Sequence, residues 1–307
     1  MARGRDGWWR VAAAGAAGLG LAVGGGWGTA GRAAVVQTYV ALGDSYTAGP
    51  LIPLQQPNPL GCLRSDHDYP SVIAAALGVS TFRDASCSGA TTDNMTAPQN
   101  VTPGPNPPQF DRLDAQTQLV TVGIGGNDIG FEQIATTCAT ASPAGTPCHD
   151  HYVVNGDDQL SDRIVATAPK VASVLQGIHT RSPIAEVVVV DYLAILPETG
   201  FGCWPQVPFA YGDVPYLRAK EHQLNAMLAQ QAAANGARFV DAYTFSIGHD
   251  ACDPPCLRWV EPAAPSSPAA PLHPNAVGMR ATADAVLGAP PPASGPCPVT
   301  AGPRFTG

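Results

Sequence analysis

Tyr39-Val40-Ala41-Leu42-Gly43-Asp44-Ser45-Tyr46-Thr47-Ala48-Gly49 is a short apolar run that stops abruptly at Gly-Asp-Ser. A run of this kind, with β-branched and aromatic residues and a Gly-Asp break, reads as a strand ending in a tight turn. The turn presents Ser45 at the C-terminal edge of a sheet, where open α/β sheets bind ligands. A serine there is a nucleophile only if a base takes its proton and donors hold the resulting oxyanion. Taken alone, the tripeptide reads more readily as a plain surface turn.

The chain around it has 307 residues, 45% hydrophobic and only 13% charged, with 33 Gly and 31 Pro. That is enough to bury one sizeable core and form a single catalytic domain with long loops. Arg3, Arg5 and Arg10 precede an uncharged Ala/Gly/Val/Leu stretch from Val11 to about Val23, and Gly28, Thr29 and Ala30 offer small residues for cleavage. Residues 1–30 therefore read as a signal peptide, 31–288 as the catalytic domain and 289–307 as a Pro/Gly-rich tail. An uncleaved anchor is the competing reading, and the shortness and glycine content of the stretch count against it.

Removing the leader takes away three Arg and one Asp, so the formal charge moves from −8 to −10. A protein this acidic, with no Lys/Arg cluster, is a poor partner for nucleic acid. Eight cysteines in an exported chain point to disulfides: Cys62, Cys87, Cys138, Cys148, Cys203, Cys252, Cys256 and Cys297. Cys138 and Cys148 flank a Ser-Pro-Ala-Gly-Thr-Pro turn and read as a local clip. A metal reading of Cys148-His149-Asp150-His151 is disfavoured, because the ligands are crowded and lack the helical or knuckle spacing of a zinc site.

The rest of the chain alternates. After the strand at 39–42 come a helix near 70–77, a short strand near 81–84, a Pro-rich loop over 97–108 and a buried strand over 118–124. Residues 131–160 read as an irregular insertion. Apolar residues Ile164, Val165, Val171, Val174, Leu175 and Ile178 suit a helix face over 162–180, and Val187–Val190 form the most strand-like run. A helix over 216–235, a strand over 238–241 and a last helix over 275–287, capped by Asn275, complete the pattern. Five short strands separated by helices imply a parallel sheet covered on both faces.

Three loops then converge on one edge of that sheet. Gly125-Gly126-Asn127-Asp128 follows the third strand, so the Asn127 amide is a candidate oxyanion donor. Ser86-Cys87-Ser88-Gly89-Ala90-Thr91 follows the second, and Gly89 offers a backbone N–H with no side chain in the way. Of seven histidines, His179 and His222 fall in helices, His149 and His151 in the cysteine clip, and His249 beside Cys252. His273 stands in Pro271-Leu272-His273-Pro274-Asn275, where two prolines fix the backbone that carries the imidazole.

Taken in order, Gly43-Asp44-Ser45, Gly89, Gly125-Gly126-Asn127-Asp128 and His273-Pro274-Asn275 resemble the blocks of the SGNH (GDSL-type) hydrolases. The resemblance runs from about Tyr39 to Leu287. Cys62-Leu63-Arg64-Ser65, Tyr69-Pro70 and Arg258-Trp259-Val260-Glu261-Pro262 look like the secreted actinobacterial lipase/esterase branch. The resemblance implies a flavodoxin-like three-layer α/β/α sandwich with a five-stranded parallel sheet, and hydrolysis of carboxylic esters without a cofactor. It also implies Ser45 as nucleophile and His273 as base and then acid. The implied oxyanion hole is the N–H of Ser45, the N–H of Gly89 and the Asn127 amide, with Asp44 supporting the nucleophile turn.

Many members of the family carry an aspartate three residues before the histidine, and here that position is Ala270. A methyl group cannot accept the imidazole N–H, so a backbone carbonyl at or around Ala270 is expected to orient His273 in a Ser–His dyad. The branch further suggests the pairs Cys62–Cys87, Cys138–Cys148 and Cys203–Cys252, which leave Cys256 and Cys297 to each other.

The substrate stays open between a lipase, a short-chain esterase, a phospholipase A and a carbohydrate acetyl-esterase, and a secreted binding module is the non-enzyme alternative. The stretches 97–108, 131–160 and 197–215, the last with Phe201, Trp204, Phe209 and Tyr211, either wall an acyl pocket or pack as core. The expected partner is a small ester or lipid, with at most transient contact with a lipid surface, and a monomer is expected.

Overall fold

The structure, a computed structural model, describes residues 36–290 together with 292 and 297. The leader expected over 1–30 and most of the tail lie outside the described residues. From the N-terminus come β1 (Thr38–Gly43), α1 (Ser45–Ala48), α2 (Tyr69–Leu77), β2 (Thr81–Asp84) and β3 (Leu119–Gly123). The shorter elements α3 (Phe131–Cys138), α4 (Pro147–Tyr152), β4 (Val153–Val154) and β5 (Asp157–Asp158) follow. The chain continues through α5 (Gln159–Arg181), β6 (Glu186–Val190), α6 (Val214–Ala234), β7 (Arg238–Val240), α7 (Ala242–Ser246) and α8 (Ala276–Leu287).

Five strands form one parallel sheet in the order β2-β1-β3-β6-β7. Helices α5 and α6 pack together as one layer, and α2 packs on α8 as the other. Because both faces are covered, Val187 to Val190 are all buried instead of alternating in and out. The order reverses at β1: β2 lies on one side of it and β3 on the other. Ligands bind in the crevice outside the strand ends at such a reversal. Here the loops leaving β1 and β3, with Ser45 and Asn127, flank it.

The stretch 131–160 is more regular than its sequence suggests. Two short helices and the β4–β5 hairpin occupy it, clipped by the Cys138–Cys148 disulfide. Pro147 starts α4, and Asp158 caps α5 by accepting from the Leu160 and Ser161 N–H groups, three residues before the expected start. Short helices carry too few periodic positions to stand out from a loop, and tertiary packing decides them. Residues 97–108 close on themselves through the Gln99–Asn106 bridge and serve as a brace.

The turn after β1 leaves almost no freedom. Gly43 has φ +152°, and a Cβ there would lie 2.6 Å from the Gly123 carbonyl oxygen and 2.2 Å from Thr47 Oγ1. The buried Gln109 side chain accepts from the Gly43 N–H at 2.8 Å and donates to the Gly43 carbonyl at 2.8 Å, replacing ladder bonds the turn cannot make. Gly43→Ala combines backbone strain with an overlap on immobile backbone. It is expected to lower the thermal midpoint by at least about 5 °C. A midpoint within about 2 °C of wild type in a calorimetric scan contradicts this account of the turn.

Candidate active site

Asp44 caps the one-turn helix α1, its Oδ1 accepting from the Tyr46 N–H at 2.9 Å. This puts Ser45 at the first helical position, 8% exposed. His273 Nε2 lies 2.8 Å from Ser45 Oγ. The other ring nitrogen, Nδ1, lies 2.7 Å from the Pro271 carbonyl oxygen, so Nδ1 carries the proton and Nε2 is the acceptor.

The expectation for Ala270 is corrected here. Its carbonyl accepts the His273 backbone N–H at 3.2 Å and is therefore spent on the turn, so the imidazole reaches the Pro271 carbonyl, two residues before it. The ring packs against Tyr46 at 5.1 Å and edge-on to Phe131 at 5.7 Å. Burial holds the imidazole pKa below its ordinary value, and the bond to Pro271 opposes that only in part.

The histidine loop is anchored from below. Glu261, fully buried, exchanges backbone bonds with the loop: its N–H donates to His273 O and its carbonyl accepts from Leu272 N–H, each at 3.0 Å. Its carboxylate accepts from Asn275 Nδ2 at 2.8 Å and from Ser266 N–H at 2.8 Å. Burial would raise that carboxyl, but the bonds from Asn275, Ser266 and Ser267 outweigh it and leave the pKa below the usual range. The Tyr46 hydroxyl completes the anchor by donating to Leu272 O at 2.6 Å.

Two backbone N–H groups near the nucleophile candidate are left over. Among the described residues neither the Ser45 nor the Gly89 N–H has a hydrogen-bond partner. Gly89 has φ +79°, the left-handed region that frees its N–H from the loop. Asn127 Nδ2 donates to Ala90 O at 3.0 Å, which joins the third candidate donor to the Gly89 loop and leaves its second N–H for a ligand. Thr92 fastens the same two loops by donating its N–H to Asp128 Oδ2 and its hydroxyl to Asp128 Oδ1, at 2.9 and 2.5 Å. Arg64 Nη1 supports the start of the loop through Ser86 O at 2.7 Å, and the Cys62–Cys87 disulfide pins it.

Tyr192, just past β6, is the site residue that sequence reasoning missed. Its hydroxyl accepts from the Gly126 N–H at 2.7 Å and donates to Asp44 Oδ2 at 2.6 Å. Burial pushes the Asp44 carboxyl up to about 7, against the pull of the bonds from Tyr192 and Tyr46. Asn225 on α6 clamps the Tyr192 backbone at both N–H and C=O. The only signal in the sequence is its place, two residues after a buried strand.

Beside Ser45 and Asn127 opens a pocket that reaches back to α6. Ile129, Phe131, Ile134, Leu160, Leu196 and Phe209 give it an apolar wall. The 131–160 stretch thus contributes, whereas 97–108 does not. Of the aromatics in 197–215 only Phe209 lines it; Phe201 is 65% exposed and Tyr211 42%. The other histidines stand apart: His249 stacks on Trp259 at 3.9 Å, and Cys148, beside His149 and His151, is tied up in its disulfide. The remaining disulfides are Cys203–Cys252 and Cys256–Cys297.

Comparison with known proteins agrees with this geometry. Residues 41–281 match the GDSL-like Lipase/Acylhydrolase family. The chain is 40% identical to "Lipase 2" of Streptomyces coelicolor over 280 residues, covering 89% of this chain and 92% of that one. Among solved structures, phospholipase A1 of Streptomyces albidoflavus NA297 superposes with a TM-score of 0.69 at 27% identity, over 82% of this chain and 98% of that one. The extracellular lipase of Streptomyces rimosus does so with a TM-score of 0.64 at 27% identity, over 82% and 99%. With nine-tenths of its length shared with a lipase, the chain is a carboxylic ester hydrolase and belongs to the GDSL-like Lipase/Acylhydrolase family.

Proposed function

We propose that the protein is a secreted lipase or esterase that cleaves fatty-acyl esters through an acyl-enzyme on Ser45. The observation that carries this reading is the relay from Ser45 Oγ to His273 Nε2, 2.8 Å apart, and from Nδ1 to Pro271 O, 2.7 Å apart. Ser45 Oγ attacks the ester carbonyl while its proton passes to Nε2. The carbonyl oxygen becomes an oxyanion received by the Ser45 and Gly89 N–H groups and the Asn127 amide. As the tetrahedral intermediate collapses, the ester C–O bond breaks and the alkoxide takes the proton from Nε2 to leave as alcohol. Water then enters, gives its proton to Nε2, and attacks the acyl carbonyl. The second tetrahedral intermediate collapses, Ser45 Oγ recovers the proton, and the carboxylic acid leaves.

The apolar wall of the pocket supports a fatty-acyl chain over the acetyl group of a carbohydrate ester. Export, with residues 1–30 as the leader, is supported by four disulfides, which persist in oxidising compartments. The extracellular lipase among the similar structures points the same way. The lipid is met as a small-molecule substrate, and the enzyme acts as a monomer.

Mature protein assayed on p-nitrophenyl esters from acetate to palmitate is expected to show an optimum at medium or long chains and to lose activity in Ser45→Ala. Equal turnover by wild type and Ser45→Ala rules out the nucleophile assignment. Asn127→Ala is expected to fold and to lose about 10²–10³ in kcat, the usual effect of one missing oxyanion donor. Near-normal turnover removes Asn127 from the hole.

The base must be neutral to accept the proton, and the His273 imidazole titrates below the ordinary 6.5. The acid limb of kcat/KM on a soluble ester is therefore expected to have its midpoint below pH 6.5, with activity retained in mildly acidic buffer. A midpoint above that value contradicts the burial argument.

A further inference from the structure

One stripe of α6 runs Val214, Leu217, Glu221, Leu224, Leu228, spaced alternately by three and four residues, and its four apolar members are buried. That spacing is the one an apolar helix face needs, and its central position holds a carboxylic acid. Leu217, Glu221 and Leu224 all line the pocket beside Ser45. Leucine would continue the stripe, so the acid is out of pattern, and one backbone N–H, that of Ile195, is all it serves among the described residues.

The surroundings of Glu221 leave most of its hydrogen-bonding capacity unused. Both carboxyl oxygens lean on a single donor, the Ile195 N–H, at 3.2 and 3.4 Å. Among the described residues no Lys, Arg or His pairs with it. Lys220, its neighbour in sequence, turns instead to Asp158 and Ser161. Asp44 is engaged by Tyr46 and Tyr192, Tyr192 by Asp44 and Gly126, and Tyr46 by Leu272, whereas Asn127, with one N–H left over, stands at the Ser45 end of the pocket.

Burial raises the Glu221 carboxyl well above the usual range. The Ile195 bond lowers it only in part, and the carboxylates of Asp191, Asp250 and Glu198 add to the rise. The raised carboxyl favours its protonated form, which presents an O–H donor, as well as acceptor lone pairs, to whatever fills the pocket. A plain alkyl chain seated there would cover that donor without satisfying it, which is unfavourable in an apolar site.

We propose that Glu221 is a specificity-determining residue of the acyl pocket, hydrogen-bonding an oxygen carried along the acyl chain, so that hydroxy- or oxo-acyl esters are the preferred substrate class. This rests on the acyl-enzyme reading above. A site built to hydrogen-bond a substrate oxygen discriminates against the analogue that lacks it, because the buried partner is then left unpaired. Glu221 binds chain atoms remote from the reacting carbonyl, so the preference sits mainly in KM.

The test compares kcat/KM for p-nitrophenyl decanoate with that for decanoates hydroxylated at successive carbons. Wild type is expected to favour at least one hydroxylated chain by about tenfold. Glu221→Leu reverses the preference, improving the plain chain and losing the hydroxylated one. Glu221→Gln keeps an acceptor for the Ile195 N–H and a donor for the chain, so it keeps the sign of the preference.

Wild type favouring the plain chain over every hydroxylated one overturns the proposal, and needs no variant to do so. So does a Glu221→Leu enzyme whose ratio between the chains equals that of wild type, which would leave Glu221 as a support for Ile195 alone. Turnover that survives Ser45→Ala would fail differently, removing the acyl-enzyme and this inference with it.

Discussion

One hydroxyl group holds the active edge of the sheet together. Tyr192 Oη sits between the Gly126 N–H and the Asp44 carboxyl, at 2.7 and 2.6 Å. In doing so it joins the turn after β1, the turn after β3 and the chain leaving β6. These are three adjacent strand ends with no covalent link between them. Each turn also carries a catalytic candidate: Ser45 one residue past Asp44, and Asn127 one residue past Gly126. Their separation is therefore set by a buried bridge and not by loop conformation, which a rigid oxyanion site requires. The bridge is itself fixed from α6, where the Asn225 amide grips the Tyr192 backbone on both sides.

The second half of the site is built on the opposite logic. The loop bearing His273 has no strand behind it, and its position comes from a buried carboxylate. Glu261 gathers Asn275, Ser266 and Ser267 while its own backbone pairs with the loop at Leu272 and His273. A buried charge is costly unless its lone pairs are filled, and here they are filled by the groups that need placing. Tyr46 then connects the halves, since it follows Ser45 in sequence and donates to Leu272 O at 2.6 Å.

What could be read from the sequence follows from the range of each interaction. The sheet was legible because four Val in a row, or a Gly-Asp break after an apolar run, are local signals. Ser45, Gly89, Asn127 and His273 could be singled out as candidates because each follows a strand or stands in a proline-framed turn. Tyr192, Asn225 and Gln109 were not, since each acts over more than thirty positions and none has a distinctive neighbour. The 131–160 stretch hid its helices because they are short and owe their form to packing. Ala270 was named by counting from the histidine, but which carbonyl meets the ring depends on backbone dihedrals. In this turn Ala270 O is used by the His273 N–H, and Pro271 O is the one left facing Nδ1.

Replacing the acid of a triad with a main-chain carbonyl has an electrostatic consequence. A carboxylate beside Nδ1 would stabilise the imidazolium and raise its pKa, but would place a full negative charge near the developing oxyanion. The Pro271 carbonyl fixes the same tautomer with a dipole alone. The nearest acid of the turn, Asp44, is buried and raised to about 7, with its lone pairs spent on Tyr46 and Tyr192. The site therefore keeps negative charge scarce where a new one must form, inside a chain whose formal charge is −8. The same economy applies to Glu221, a partly exposed acid of the pocket with no cation paired to it among the described residues, which fits the acyl pocket as a neutral donor. Charged, it would oppose both the apolar chain beside it and the oxyanion beyond it.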